Sequence, residues 1–113
     1  MKNLIGLMRE PVAIHRCCAG LSKCFDDGRS EFLVKYKEEE IPLGLLRSCQ
    51  REVDEEKVQL MTKALTDGDA LPLPTVVNDE MYLRYYVLDG NHRINAAILA
   101  GQEAVKCNVL VVE

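Results

Sequence analysis

The sequence lacks any apolar run long enough to cross a membrane, and it lacks an excess of basic residues. A membrane-spanning helix needs about 20 predominantly apolar residues, and no stretch of the 113-residue sequence approaches that length. The formal net charge is −4 and the pI is near 5.2, which argues against a protein whose main role is to coat DNA or an anionic membrane. Internal repeats and low-complexity segments are also absent from the sequence.

A secretory signal and a typical zinc-binding cysteine pattern are missing as well. Residues 1–8 contain one lysine and a short apolar stretch, which is followed at once by charged residues and a proline. The five cysteines are an odd number, and without an export signal they favour reduced thiols and a cytoplasmic location. The potential zinc ligands are His15, Cys17, Cys18 and Cys24. They contain no C-x2-C pair, so we expect free thiols and no metal site.

At 48% apolar and 28% charged residues, the composition is that of one globular domain with a real core. Hydrophobic periodicity predicts a helix over residues 53–65, with Asp54 near its N-cap and an apolar stripe widened by Leu60. The elements predicted after this helix are a hairpin formed by residues 73–78 and 81–88, a helix over 92–100 and a strand over 105–112. The fold class is therefore α+β.

The first 40 residues form a predicted N-terminal extension, and residues 41–113 form the predicted domain. Within the extension, residues 11–24 have the pattern of a helix and residues 31–36 alternate as in a strand. Residues 37–40 are all charged and are predicted to connect this strand to a short extended piece at 41–43.

The most informative motif is Asp89-Gly90-Asn91-His92-Arg93, between a predicted strand and a predicted helix. Glycine permits close backbone approach, and the first-turn N–H groups of a helix have no intrahelical partner and carry partial positive charge. His92 and Arg93 add donors, and arginine suits bidentate contact with phosphate. The motif therefore predicts an anion site, with Asp89 as the acceptor that caps the helix. The alternative roles for Asp89 are contact with a magnesium ion and orientation of His92.

Further segments accompany this motif along the chain. They are Ile41-Pro42-Leu43, Leu46-Arg47, Gln50, Leu71-Pro72-Leu73-Pro74-Thr75-Val76-Val77, Tyr86-Val87-Leu88, Ala96-Ala97 and Gly101. Together with the element order, these segments make residues 41–113 similar to the ParB/sulfiredoxin superfamily. The resemblance implies a small mixed sheet with two main helices, and a nucleotide phosphate seated on residues 90–93.

The resemblance also implies roles outside the motif. Arg47 lies in a region that faces the nucleotide in this superfamily, and Gln50 is expected near the base or ribose. The implied cofactor is ATP or CTP with Mg²⁺. The predicted nucleotide-binding residues are Gly90, Asn91, His92, Arg93, Arg47 and Gln50.

Two positions depart from enzymes of the superfamily. Sulfiredoxins carry their catalytic cysteine where this sequence has Asn91, and because an amide cannot act as a nucleophile, we do not expect sulfiredoxin activity. Free-serine kinases carry a catalytic glutamate where this sequence has Gln50, which cannot accept a proton from a hydroxyl. A general base would have to come from elsewhere, with Glu52, Asp54 and Glu55 nearby.

These observations leave three functional hypotheses. The first is a domain that binds a nucleoside triphosphate, with hydrolysis, phosphotransfer and a binding switch all left open. The second is a DNA-associated ParB-like partition protein or nuclease, for which the acidic composition predicts weak DNA binding. The third is a catalytically silent interaction domain. No residue is assigned a catalytic role at this stage.

Overall fold

A computed structural model of the protein describes residues 1–7, 34–79 and 83–112. Its strands are β1 (Gly6–Leu7), β2 (Val34–Pro42), β3 (Leu46–Ser48), β4 (Thr75–Asp79), β5 (Arg84–Asp89) and β6 (Ala104–Val112). Its helices are α1 (Glu55–Thr66) and α2 (Asn91–Leu99), and a short 3₁₀ helix (Leu43–Leu45) joins β2 to β3. None of the helices in these three ranges is long and apolar enough to cross a membrane.

The six described strands form one mixed sheet in the order β1-β3-β5-β4-β6-β2. Strands β1 and β5 pair parallel to β3, and β4 pairs parallel to β6. The antiparallel pairs are β4 with β5 and β2 with β6. This topology confirms the predicted α+β fold and places the start of α2 directly after a central strand of the sheet.

The core lies between this sheet and α2. Its buried cluster consists of Ile5, Ile41, Leu46, Val76, Val87, Ile94, Cys107 and Val109. Since Ile94 is fully buried and lies in the first turn of α2, packing of the core fixes the position of that helix end. Ile5, which precedes β1, and Cys107 and Val109 of β6 share the cluster, so residues far apart in the sequence contribute to the same core.

Helix α1 begins where the sequence predicts. The Asp54 carboxylate accepts hydrogen bonds from the backbone N–H groups of Glu56 and Lys57, which confirms its role as N-cap. Val58 is fully buried, whereas Leu60 is 70% exposed. The prediction that Leu60 widens the apolar stripe was wrong, because at this position the helix faces solvent.

The prediction for residues 37–40 was also wrong. They do not connect two strands but lie within β2, which pairs along its full length with β6. Among the described residues, β2 has only one strand neighbour and lies at the edge of the sheet. Its charged side chains reach solvent, as in the exposed Glu38–Lys106 pair at 3.3 Å. Charged residues are common on edge strands because they discourage pairing with another chain.

The hairpin and the second helix are confirmed to within a few residues. Strands β4 and β5 pair antiparallel, although residues 80–82 of their connection lie outside the described residues. The predicted helix over 11–24 and the four potential zinc ligands also lie outside them. Of the two cysteines whose structure is described, Cys49 is exposed and Cys107 is buried.

Candidate functional site

The turn after β5 requires a glycine for two reasons. Gly90 has φ +105°, in the left-handed region that residues with a side chain rarely adopt. A Cβ atom at this position would lie 2.7 Å from Pro74 Cβ and 2.9 Å from Pro74 Cα. The sequence motif was interpreted as room for an anion, but the close approach seen in the structure is to the chain itself.

Gly90 is the N-cap of α2, and no described side chain caps this helix end. The first intrahelical hydrogen bond runs from the Ile94 N–H to the Gly90 carbonyl at 3.0 Å. The N–H groups of Asn91, His92 and Arg93 precede that bond and belong to the helix turn that has no intrahelical acceptor. Their partial positive charge suits an anion.

The prediction that Asp89 caps α2 was wrong. The side chain of Asp89 instead accepts a hydrogen bond from Arg93 Nη2 at 3.0 Å and is 76% exposed. Since Gly90 occupies the N-cap, Asp89 lies one residue too early to serve in that role. It forms an ion pair across the start of the helix, with Arg93 as its partner.

The side chain of Asn91 points inward and connects the turn to the loop after β3. Asn91 Oδ1 accepts a hydrogen bond from Ser48 Oγ at 2.6 Å, and Asn91 Nδ2 donates to Gln50 Oε1 at 3.1 Å. The Gln50 side chain also donates through Nε2 to the Glu52 carbonyl at 2.7 Å. The structure therefore brings together two of the predicted site residues, Asn91 and Gln50.

His92 connects the same turn to the beginning of α1. Its Nε2 accepts a hydrogen bond from the Asp54 backbone N–H at 3.0 Å. This bond requires Nε2 to carry no proton, so the imidazole here is an acceptor. The His92 side chain therefore links the N-terminus of α2 to the N-terminus of α1.

Besides its ion pair with Asp89, Arg93 contacts the segment before β4. Its Nη1 donates to the carbonyls of Pro72 and Leu73, both at 3.0 Å. It also lines a cavity of about 160 Å³ whose walls are mostly apolar. The side chain is only 17% exposed, so its described role is to fix the segment before β4 against α2.

Arg47 is also engaged elsewhere. It lies in β3, which the sequence did not predict as a strand, and its Nη1 donates to the Gly44 and Leu46 carbonyls at 2.8 and 2.7 Å. Its side chain packs on Gly6, where an added Cβ would meet Arg47 Cδ at 3.1 Å. Because side chains alternate along a strand, Arg47 and Ser48 lie on opposite faces of the sheet. The described contacts do not bring Arg47 to the turn.

Two buried residues that sequence reasoning missed complete the contacts of the turn. Asn95 is fully buried, and its Nδ2 donates both to the Asn91 carbonyl and to Asn3 Oδ1 at 2.8 Å. Asn3 is 4% exposed and donates through Nδ2 to the Gln50 carbonyl at 2.8 Å. The four-residue spacing of Asn91 and Asn95 was a signal for the second of them, since it places both on one helix face. Nothing near Asn3 in the sequence indicated its role.

The described residues offer no ready-made metal site. No group of three or more His, Cys, Asp or Glu side chains within residues 1–7, 34–79 and 83–112 could hold a metal ion. A cation that acts here would therefore need ligands from the bound molecule as well as from the protein.

The sequence of the chain matches a known protein family. A family model for the ParB N-terminal domain matches residues 28–113. No curated protein matches the sequence significantly.

Solved structures share the fold at low sequence identity. Sulfiredoxin from Arabidopsis thaliana is 22% identical, with a TM-score of 0.56 over 65% of this chain and 83% of that one. The chromosome-partitioning protein ParB from Caulobacter crescentus, C-terminally truncated and complexed with CTP-γ-S, is 22% identical with a TM-score of 0.55 over 65% of this chain. The same ParB complexed to the centromeric parS site is 22% identical with a TM-score of 0.50 over 63% of this chain.

The match spans 43% and 37% of the two ParB chains, so the likeness concerns one domain of that protein. The predicted fold is therefore confirmed, together with the predicted superfamily. The chain belongs to the ParB N-terminal domain family of the ParB/sulfiredoxin superfamily.

Proposed function

We propose that the chain binds the phosphate groups of a nucleoside triphosphate at the N-terminus of α2. The observation that carries this proposal is the helix start itself, where Gly90 is the N-cap and no described side chain occupies the first-turn N–H groups. Such N–H groups, aligned with the helix dipole, bind phosphate oxygens. The structural likeness to a ParB complexed with CTP-γ-S supports CTP as the first nucleotide to test.

The rigidity of the turn supports the same function. Asn91 is held by Ser48 and Gln50, and His92 is held by the Asp54 N–H, so the backbone between them has little freedom to reorient. A binding site whose donors are already in place loses less conformational entropy when the ligand binds. The inward contacts of these side chains thus leave the backbone N–H groups as the donors that face a ligand.

The two arginines predicted from the sequence would act less directly. Arg93 and Arg47 each donate to backbone carbonyls, so either one would have to exchange those hydrogen bonds to reach a phosphate. Their roles in nucleotide binding, and contact of Gln50 with base or ribose, stay predictions. We therefore base the proposal on the backbone N–H groups of residues 91–93.

Magnesium fits this proposal as part of the nucleotide. Mg²⁺ is usually held by one or two carboxylates together with substrate phosphates. Asp89, 76% exposed beside the turn, is the nearest carboxylate in sequence and would contribute such a ligand. When bound, the ion would offset the charge of the phosphates. The proposal concerns binding and assigns no reaction, because Gln50 has no ionisable group to serve as a base.

Two substitutions at one position test the proposal. Glutamine and glutamate both supply an oxygen that can accept the Asp54 N–H in place of His92 Nε2, but only glutamate adds a negative charge. His92→Gln should bind tripolyphosphate within about threefold of the unmodified protein, whereas His92→Glu should bind about tenfold more weakly because like charges a few ångströms apart repel. Isothermal titration calorimetry with sodium tripolyphosphate, and with CTP, ATP and GTP plus Mg²⁺, measures both effects.

Lys63 provides a control for net charge. It is exposed in the last turn of α1, so Lys63→Ala changes the net charge without touching the turn. This variant should bind tripolyphosphate as the unmodified protein does. The proposal fails if the unmodified protein binds neither tripolyphosphate nor any of the three nucleotides, or if His92→Glu binds as tightly as His92→Gln.

A further inference from the structure

The N-terminal segment, residues 1–7, lies against the loop that carries Gln50. The Asn3 N–H donates to the Arg51 carbonyl and the Val53 N–H donates to the Met1 carbonyl, both at 2.9 Å. Farther along, β1 pairs parallel to β3. This segment lies outside residues 28–113, the region that the family model matches. Its contacts with the loop therefore join residues outside the matched region to residues inside it.

The Asn3 side chain reaches the candidate site from this segment. Its Nδ2 donates to the Gln50 carbonyl at 2.8 Å and lies 3.3 Å from both Asn91 Oδ1 and Ser48 Oγ. Its Oδ1 accepts hydrogen bonds from the Ile5 N–H at 3.0 Å and from Asn95 Nδ2 at 2.8 Å. Every hydrogen-bonding group of this nearly fully buried amide is therefore used.

Asn95 of α2 connects Asn3 to the backbone of Asn91. Its Nδ2 donates to Asn3 Oδ1 and to the Asn91 carbonyl, while its Oδ1 accepts from the Leu4 N–H at 2.7 Å. A fully satisfied buried amide pair resists reorientation, because any rotation leaves a buried donor or acceptor without a partner. The pair thus holds both the side chain and the carbonyl of Asn91 in register with the N-terminal segment.

We propose that Asn3 is a positioning residue of the phosphate site, and that docking of the N-terminal segment and binding of phosphate strengthen each other. The inference rests on the proposed function. Asn3 does not face the ligand. It fixes Asn91, whose N–H opens the first turn of α2, so loss of its amide would loosen the donors that contact phosphate. Because coupling between two binding events is reciprocal, bound phosphate must in turn stabilise the docked segment.

The test compares Asn3→Ala with Leu4→Ala. Leu4 is the next residue of the same segment and is 44% exposed; its bond to Asn95 comes from its backbone N–H, so alanine removes the side chain and leaves the amide pair in place. Asn3→Ala should bind tripolyphosphate about fivefold more weakly, because the buried hydrogen bonds that hold Asn91 in place are lost, and Leu4→Ala should bind as the unmodified protein does. In an Asn91→Ala background the effect of Asn3→Ala should be less than additive, because the direct contact between the two side chains is already lost.

A second measurement needs no substitution. Amide hydrogen exchange of the Asn3 N–H, which reports opening of the segment, should slow several-fold when the unmodified protein is saturated with tripolyphosphate. This measurement stands even where Asn3→Ala fails to fold.

The outcomes separate this inference from the proposed function. If the unmodified protein binds tripolyphosphate but Asn3→Ala matches Leu4→Ala, or exchange at Asn3 is unchanged, the positioning role is overturned and the phosphate site stands. Full additivity with Asn91→Ala would equally overturn it. If the unmodified protein binds no tripolyphosphate and no nucleotide, the proposed function fails and the positioning role fails with it.

Discussion

Gly90 and Pro74 are packed so closely that no side chain fits between them, since a Cβ at position 90 would lie 2.7 Å from Pro74 Cβ. This contact fixes the start of α2 against the segment before β4. It also explains why a glycine follows β5, because any β-carbon would push these two elements apart.

Gly90→Ala should therefore reduce the free energy of unfolding by about 2–5 kcal/mol, from backbone strain and steric overlap together. Gly68→Ala is the matched control, since Gly68 also has a positive φ (+87°) but nothing lies within 4 Å of an added Cβ. The control should lose only about 1 kcal/mol. Urea unfolding of both variants measures the difference, and equal losses would show that the Pro74 contact has no energetic effect.

Asn95→Leu should destabilise the fold by at least about 2 kcal/mol, although leucine has a similar size. The substitution removes the side-chain acceptor of the Leu4 N–H and one donor each from Asn3 Oδ1 and the Asn91 carbonyl. Asn78→Ala, at an exposed position of β4, should change stability by no more than about 0.5 kcal/mol. Thermal unfolding followed by circular dichroism compares them. An Asn95→Leu variant as stable as the unmodified protein would contradict this expectation. It would mean that water molecules can take the place of the Asn95 side chain as hydrogen-bond partners.

Much of the fold could be predicted because local signals and tertiary packing agree. Asp54 followed by two glutamates is a strong helix start, and the structure confirms it. The hairpin and α2 follow from apolar runs separated by polar turns. The prediction for residues 37–40 was wrong, because a charged run considered alone predicts a connection between strands and these residues lie within β2. Pairing with β6 overrides that preference at the edge of the sheet.

The candidate site was only partly predictable, for a different reason. The glycine and the polar residues at positions 90–93 are recognisable in the sequence as a helix start. The predicted site residues Asn91 and Gln50 are hydrogen bonded to each other in the structure. The partners of Asn91 come from three separate segments, however, and hydrogen bonds between distant asparagines leave no periodicity in a sequence. Asn3 lies 92 residues from Asn95, and only the folded chain brings them together. Arg47 was assigned to the site by resemblance, and the alternation of β3 turns it to the other face.

Asp54→Ala should destabilise the protein by about 1 kcal/mol, because the carboxylate accepts the Glu56 and Lys57 N–H groups at the start of α1. Asp54→Asn keeps an acceptor oxygen and should recover most of the loss. The His92 contact is with the backbone of residue 54, so neither change removes it. Chemical denaturation of the two variants measures how much the N-cap contributes to the free energy of unfolding. A loss that is the same for alanine and asparagine would indicate that charge near the helix end matters more than the hydrogen bond.

Stability should fall as the pH rises from about 9 to about 11, in part because of Cys107. Burial raises the pKa of its thiol from 9.0 to about 11. Between these values the unfolded chain loses the thiol proton and the folded chain keeps it, so the unfolded state is favoured increasingly as pH rises. Lysines and tyrosines titrate in the same range, so the difference between the unmodified protein and Cys107→Val isolates the effect. Urea midpoints at pH 8 and pH 10.5 should differ less in the variant, and an equal pH dependence would contradict the assignment.

The central claim is that the N-terminus of α2 binds phosphate, and a ¹H–¹⁵N NMR titration with sodium tripolyphosphate, repeated with CTP and Mg²⁺, tests it most directly. We predict that the largest saturable shifts occur at the backbone N–H groups of Asn91, His92 and Arg93, with smaller shifts at the side-chain amides of Asn3 and Asn95. No saturable shift at residues 91–93, or a maximum elsewhere in the chain, would contradict the claim.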